Sequence, residues 1–383
     1  MNERPSMNRR RWTYLAFSVL TTAGIFGYLL TRVPLGEVLD LIRKADHRGI
    51  AMFVALSLTM SVFRTWRYAI CLRLWGYRPG VCALYLVVLV RNFFSDLLPA
   101  RLGSLVYVFL ATTRLGVPLG AATSSFAFAF VFDLIALAPL IVLAAWFAGA
   151  GSRISSAALV AGAGVLGAVT VGALLVLPRV FTLGGRVVAG LRFLPVRWRE
   201  GGRRVMDDAA ADTQAVRDAG LYFRLLVTSV LVRVFKYACL YMFLYALLRP
   251  RGYGFGDLPP SRVFLGLCAS EAAASTPVSG IAGFGAYEGA WAAVFQLLGF
   301  PGDIARLTSI SHHLFTQVYG YSLGALALLV LLLPWFKTAE ATPLAEYTPT
   351  RASVFYLRVL GALAAAAAVL WALCKVPRPA GWA

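Results

Sequence analysis

The chain has 383 residues, 60% of them hydrophobic and 14% charged, with a mean hydropathy of +0.74. That composition excludes a soluble globular domain and puts most of the sequence in a bilayer. The formal charge of +19 does not signal nucleic acid, because the cations fall between and beside apolar segments without forming a basic domain; anionic lipid is the expected partner.

In chain order, Arg9, Arg10 and Arg11 precede an apolar run from Trp12 to Leu30 that lacks a small-residue cleavage site, so an uncleaved first span is expected. A bilayer core of about 30 Å needs about 20 apolar residues per helix. Further spans are then predicted at Ile50 to Leu72, Leu119 to Phe147, Ala157 to Leu177, Leu221 to Leu248, Arg306 to Leu333 and Val354 to Cys374. Between the first two, Leu35 to Arg48 carries a Leu35, Val38, Leu39 and Ile42 stripe that predicts an interfacial amphipathic helix, with Glu37, Asp40 and Asp46 on a solvated face.

Two apolar stretches break in the middle. Residues 81–113 are interrupted by Pro99-Ala100-Arg101-Leu102-Gly103-Ser104, and residues 263–298 by a Pro/Gly-rich centre around Thr276-Pro277 and Gly283-Phe284-Gly285. Each predicts two half-helices forming a re-entrant hairpin, and irregular backbone at membrane depth survives only where protein buries it or water lines it. Such breaks point to a cavity.

Residues 178–220 hold eight arginines, and a basic connection of this kind stays in the cytoplasm. The N-terminus and the Arg73 to Gly80 turn then share that side, in the cytoplasmic membrane of a prokaryote. Arg64-Thr65-Trp66-Arg67-Tyr68-Ala69 reappears as Arg233-Val234-Phe235-Lys236-Tyr237-Ala238, on spans that this topology runs in opposite directions. The expectation is a single all-α polytopic membrane domain of about seven spans and two re-entrant hairpins. Residues 50–148 and 221–333 form its inverted repeats, a recurrent plan of secondary transporters.

Charge inside lipid is expensive, so its sites are candidates for function. Arg64 and Arg67, like Arg233 and Lys236, are spaced to project from one helical face. Arg233 and Lys236 are expected to face the cavity, whereas Arg64 and Arg67 either face it or snorkel. Arg91, Asn92 and Arg101 suit an anion cradle, or an internal pairing of either arginine with Asp96. Glu271 and Glu288 are intramembrane carboxylates expected to pair with the arginines or carry protons. Thr276 stands at the second break. Asp133, His312 and His313 are candidates for proton coupling; adjacent histidines diverge by about 100° on a helix, so at most one is expected at a cavity.

The five cysteines lack paired spacing, so neither a disulfide framework nor a metal site is expected, and no nucleotide, nucleophile or cofactor motif emerges. Assembly into a homo-oligomer stays open. Besides lipid translocation, two readings remain: a membrane glycosyltransferase using a polyprenyl-phosphate sugar through Glu37 or Asp40, and a non-transporting protein that positions lipids for a partner.

The segment ending Ala45-Asp46, Arg64-x-x-Arg67-Tyr68, Asn92 before Leu98-Pro99-x-Arg101-x-Gly103, and Thr276-Pro277 before Gly283-x-Gly285-x-x-Glu288 together resemble the lysylphosphatidylglycerol synthase transmembrane-region family of flippase-like membrane proteins. The resemblance covers nearly the whole chain. It implies translocation of a lipid with a phosphate-containing headgroup and not lipid aminoacylation, since the cytosolic synthase domain of bifunctional members has no counterpart here; a transporter rather than an enzyme is expected. Ser104 replaces the acidic residue usual after the first hairpin's glycine, which leaves Glu288 as the remaining carboxylate for such a step.

Overall fold

The computed structural model describes residues 35–98, 103, 105–148, 221–276, 281–333 and 342–343, with isolated positions between 161 and 207 and between 357 and 368. The expected spans at Trp12 to Leu30, Ala157 to Leu177 and Val354 to Cys374, the basic connection, and Arg101 lie outside the described residues apart from those isolated positions.

The described helices are α1 (Leu35–Arg43), α2 (His47–Leu74), α3 (Val81–Leu97), α4 (Val106–Leu115), α5 (Leu119–Ala148), α6 (Tyr222–Leu248), α7 (Pro260–Ala274), α8 (Ala286–Leu297) and α9 (Gly302–Leu332). Among them α2, α5, α6 and α9 are long and apolar enough to cross a membrane, at four of the seven places where the hydropathy predicts spans. The remaining contact between extended segments is one antiparallel bridge of two residues, Tyr77 and Arg78 against Pro343 and Thr342, which ties the end of α2 to the chain beyond α9. The start of α6 lies on the same side, where Leu221 and Leu225 pack with Cys71, Leu74 and Trp75.

The central contact is α2 against α6. Phe53 meets the Phe243 ring at 5.3 Å, Phe63 meets Phe235 at 5.3 Å, and Arg67 reaches Ser229 at 2.9 Å. Numbers rise along α2 as they fall along α6, so these two helices are antiparallel. Around them the packing is interleaved: α3 packs on α9, and α7 packs on α5, so each broken stretch leans on the last helix of the other half. Close approach makes this tight. A side chain at Gly103 would meet the Phe94 carbonyl at 1.6 Å, and one at Gly324 would meet Phe93 Cβ at 2.2 Å.

The two broken stretches form the helix pairs α3 with α4 and α7 with α8. The turn before α8 uses left-handed backbone at Ala282 (φ 59°), Gly283 (φ 77°) and Gly285 (φ 89°). Glycine adopts that region readily; alanine does so at a cost of roughly 1–2 kcal/mol.

α1 buries Val38 and Leu41, and the chain just beyond it buries Ala45, in the protein core against α6 and α9, while Leu39 is exposed. One expectation is corrected beside it: Asp46, expected on a solvated face, caps α2 by accepting from the Gly49 N–H at 3.3 Å and pairs with Arg249 at 2.8 Å. Asp46→Ala should therefore lower stability by about 0.5–2 kcal/mol. Asp46→Asn, which keeps the cap and removes the charge, should lose less; thermal unfolding of the detergent-solubilised protein separates the two.

Candidate functional site

Where α2, α3, α6, α7, α8 and α9 meet, the helices leave a cavity of about 190 Å³. The mutual packing of the two halves, and the breaks that keep α3 and α7 short, hold this space open. Its charged lining is Arg64, Arg91, Asp96, Lys236 and Glu271, with Asn92 between the arginines.

The two cation pairs of the repeated motif are split by the helix contact. Arg67 and Arg233 turn away from the cavity and share one carboxylate. Arg67 binds Asp133 through both guanidinium nitrogens, at 2.7 and 3.2 Å, and Arg233 Nε lies 3.4 Å from Asp133 Oδ1. Arg67 is 1% exposed and also donates to Ser229. The expectation that Arg233 faces the cavity is thereby corrected, because α5 supplies a nearer anion. Asp133 serves as the centre of an ion triad joining α2, α5 and α6.

Lys236 does line the cavity. Its ammonium sits 2.6 Å from Glu271 Oε2, which also accepts from the Tyr237 hydroxyl at 3.2 Å. Among the described residues the ion pairs seen for the two intramembrane glutamates are with a lysine and a histidine rather than with the arginines, the other expectation being that they carry protons. Glu271 takes the lysine, and Glu288 takes His313 at 2.5 Å and the Gly285 N–H at 2.8 Å, because the left-handed turn aims that N–H into the first turn of α8.

Arg64 is the exception to this pairing. It is 8% exposed, donates to Asn92 Oδ1 and approaches Met60 Sδ at 3.6 Å, and its Nε has no hydrogen-bond partner. Among the described residues no carboxylate lies within ion-pair distance of it. Arg91 also points a guanidinium nitrogen at Asn92 Oδ1, at 3.3 Å. Two cations thus converge on one neutral oxygen.

Of the two histidines, His313 reaches the cavity and His312 does not. The latter is 3.0 Å from the Leu240 carbonyl through Nε2 and packs against Phe243 and Trp291. Thr276 bonds back to the Ala273 carbonyl at 2.7 Å and is exposed. Sequence reasoning missed Ser229 and Tyr237 as partners. Tyr237 repeats Tyr68 in the duplicated motif, a signal that was present; Ser229 carried none, since its role depends on a helix 162 residues away. Among the described residues, none group as three potential metal ligands.

Removing one partner from a buried ion cluster leaves uncompensated charge and costs about 3–5 kcal/mol. Asp133→Leu should unfold the protein at markedly lower temperature. The combined Arg67→Met, Asp133→Leu, Arg233→Met variant should recover much of that loss, which thermal unfolding in detergent measures directly.

Comparison with known proteins bears on the whole arrangement. No curated protein and no solved structure matches the chain. The family model for the lysylphosphatidylglycerol synthase TM region matches residues 15–324, which takes in the broken helix pairs, the ion triad and the cavity. The chain is a multi-pass membrane protein and belongs to the lysylphosphatidylglycerol synthase transmembrane-region family.

Proposed function

We propose that the protein is a lipid translocase that moves a lipid with a phosphate-containing headgroup between the leaflets of a prokaryotic cytoplasmic membrane. The observation that carries this is Arg64, a buried guanidinium in a cavity with Asn92 and Met60 as its contacts and no counterion among the described residues. A buried charge left unpaired costs several kcal/mol. A phosphodiester entering beside Arg64 and Arg91 would remove that cost, while Lys236 and Glu271 neutralise each other. The acyl or prenyl chains would stay in the bilayer as the headgroup crosses.

The antiparallel α2 and α6, and the exchange of packing partners between the halves, support an inverted repeat with two re-entrant hairpins. The shared side of the α2 end, the α6 start and the chain beyond α9 supports a cytoplasmic position for the basic connection that precedes α6. Glu37 and Asp40, on which glycosyl transfer would rest, are exposed on α1 and do not line the cavity. No observation favours that reading.

The test is leaflet exchange of a fluorescent phosphatidylglycerol in vesicles reconstituted with the full chain. Wild-type protein should accelerate exchange, and Arg64→Ala should slow it roughly ten- to a hundredfold, the equivalent of one charged hydrogen bond worth about 1.5–3 kcal/mol. Exchange no faster than in empty vesicles, or an Arg64→Ala variant equal to wild type, would refute the reading. A covalent change in the lipid, detected by mass spectrometry, would support glycosyl transfer instead.

A further inference from the structure

The cavity wall formed by α8, α9 and the turn before α8 holds a hydrogen-bond chain whose direction can be worked out atom by atom. Glu288 is fully buried, accepts from the Gly285 N–H at 2.8 Å and lies 2.5 Å from His313 Nδ1. One turn along α9, Gln317 Nε2 is 3.2 Å from the Ala282 carbonyl and 2.7 Å from His313 Nε2. A carbonyl oxygen can only accept, so the Gln317 atom facing Ala282 is the amide nitrogen; a flipped amide would set two oxygens against each other. Both of its hydrogens are then committed, one to the Ala282 carbonyl and one to His313 Nε2. That nitrogen must offer a lone pair, so the ring's proton sits on Nδ1 and is donated to Glu288. The histidine in this arrangement is neutral.

A proton arriving at Nε2 turns that acceptor into a donor facing the Gln317 amide. Two donors cannot share the contact. The amide must rotate away, and the bond to the Ala282 carbonyl goes with it. Ala282 is the non-glycine residue held in left-handed backbone among the described residues, and it lies between the broken ends of the second helix pair. Its conformation persists because the surroundings over-determine it. Losing the Gln317 bond removes one of those restraints.

The geometry points to His313 Nε2 as a proton-binding site whose occupation releases the turn before α8, which makes the proton the ion coupled to movement at this cavity. For its transport consequence this rests on the translocase reading; the site and the turn do not. His313, Gln317, Ala282 and Gly283 all line the cavity, so a proton can reach Nε2 from there. The other charged groups around the same space are Arg64 on α2, Arg91 and Asp96 on α3, Lys236 on α6 and Glu271 on α7, with Glu288 on the far side of the ring. Tyr287 of α8 stacks on the His313 ring at 4.2 Å, and His312 directs its Nε2 to the Leu240 carbonyl. Among the described residues Arg64 stands without a counterion, so an anion bound beside it and a proton bound at His313 favour one another, and by linkage each raises the affinity for the other.

The site is readable by hydrogen exchange of the full chain in detergent across a pH series. Protection factors of peptides covering residues 281–285 should fall at least about tenfold toward the acid end, since one linked proton shifts an equilibrium by up to about tenfold per pH unit. His313→Gln should flatten that profile. Gln317→Leu should give low protection throughout, and serves as the second reading if the histidine variant does not fold. A wild-type profile independent of pH, or a His313→Gln profile that follows the wild type, overturns the site. In vesicles, leaflet exchange that ignores an imposed proton gradient overturns the coupling and leaves translocation standing. A pH-sensitive turn without leaflet exchange refutes translocation and upholds the site.

Discussion

The arrangement depends on a single carboxylate. Asp133 sits in the apolar helix α5 and is held there by Arg67 from α2 and Arg233 from α6. These charges are buried, so each is tolerable because of the others, and removing any one exposes the desolvation cost of the rest. This fixes how α2 and α6 meet. With Arg67 and Arg233 turned toward α5, Arg64 and Lys236, each three residues away, are the members of the two motifs left for the space between the halves. The ion triad is a structural element that aims a different pair of cations.

Charges buried among the described helices fall into paired groups, with an exception. Arg67, Arg233 and Asp133 form one closed group, Lys236 and Glu271 another, and Glu288 is committed to His313 and a backbone N–H. Arg64 belongs to none of these. Among the described residues its contacts are an asparagine oxygen and a thioether. On the translocase reading, a ligand supplying the opposite charge would meet it in a medium where attraction is stronger than in water.

Much of this was legible in the sequence because it is local. Hydropathy placed four spans within a few residues, and Pro/Gly interruptions placed the broken helices, since a run of apolar residues and a helix-breaking pair act on the backbone nearby. Which way a side chain points was not local. Arg64 and Arg233 occupy corresponding positions in the repeated motif, and their fates differ because Asp133 stands beside one and not the other, 66 residues from the motif's first copy. The same holds at α1 and just beyond it, where Leu41 and Ala45 are buried and Leu39 is exposed because protein covers one side. Spacing constrains which residues share a face; it does not say what the face will meet.

The exchange of packing partners has a consequence for how the chain is made. α3 rests on α9, which is synthesised more than two hundred residues later, and α5 likewise awaits α7. During synthesis the first half therefore enters the membrane with one side of its broken helix pair uncovered and with Arg67 and Asp133 short of Arg233. Contacts this distant along the chain form late, and intermediates exposing such surfaces are the ones prone to misassembly. The first half becomes a finished structure only when the second arrives, so the site between them cannot exist, even transiently, in a partly made protein.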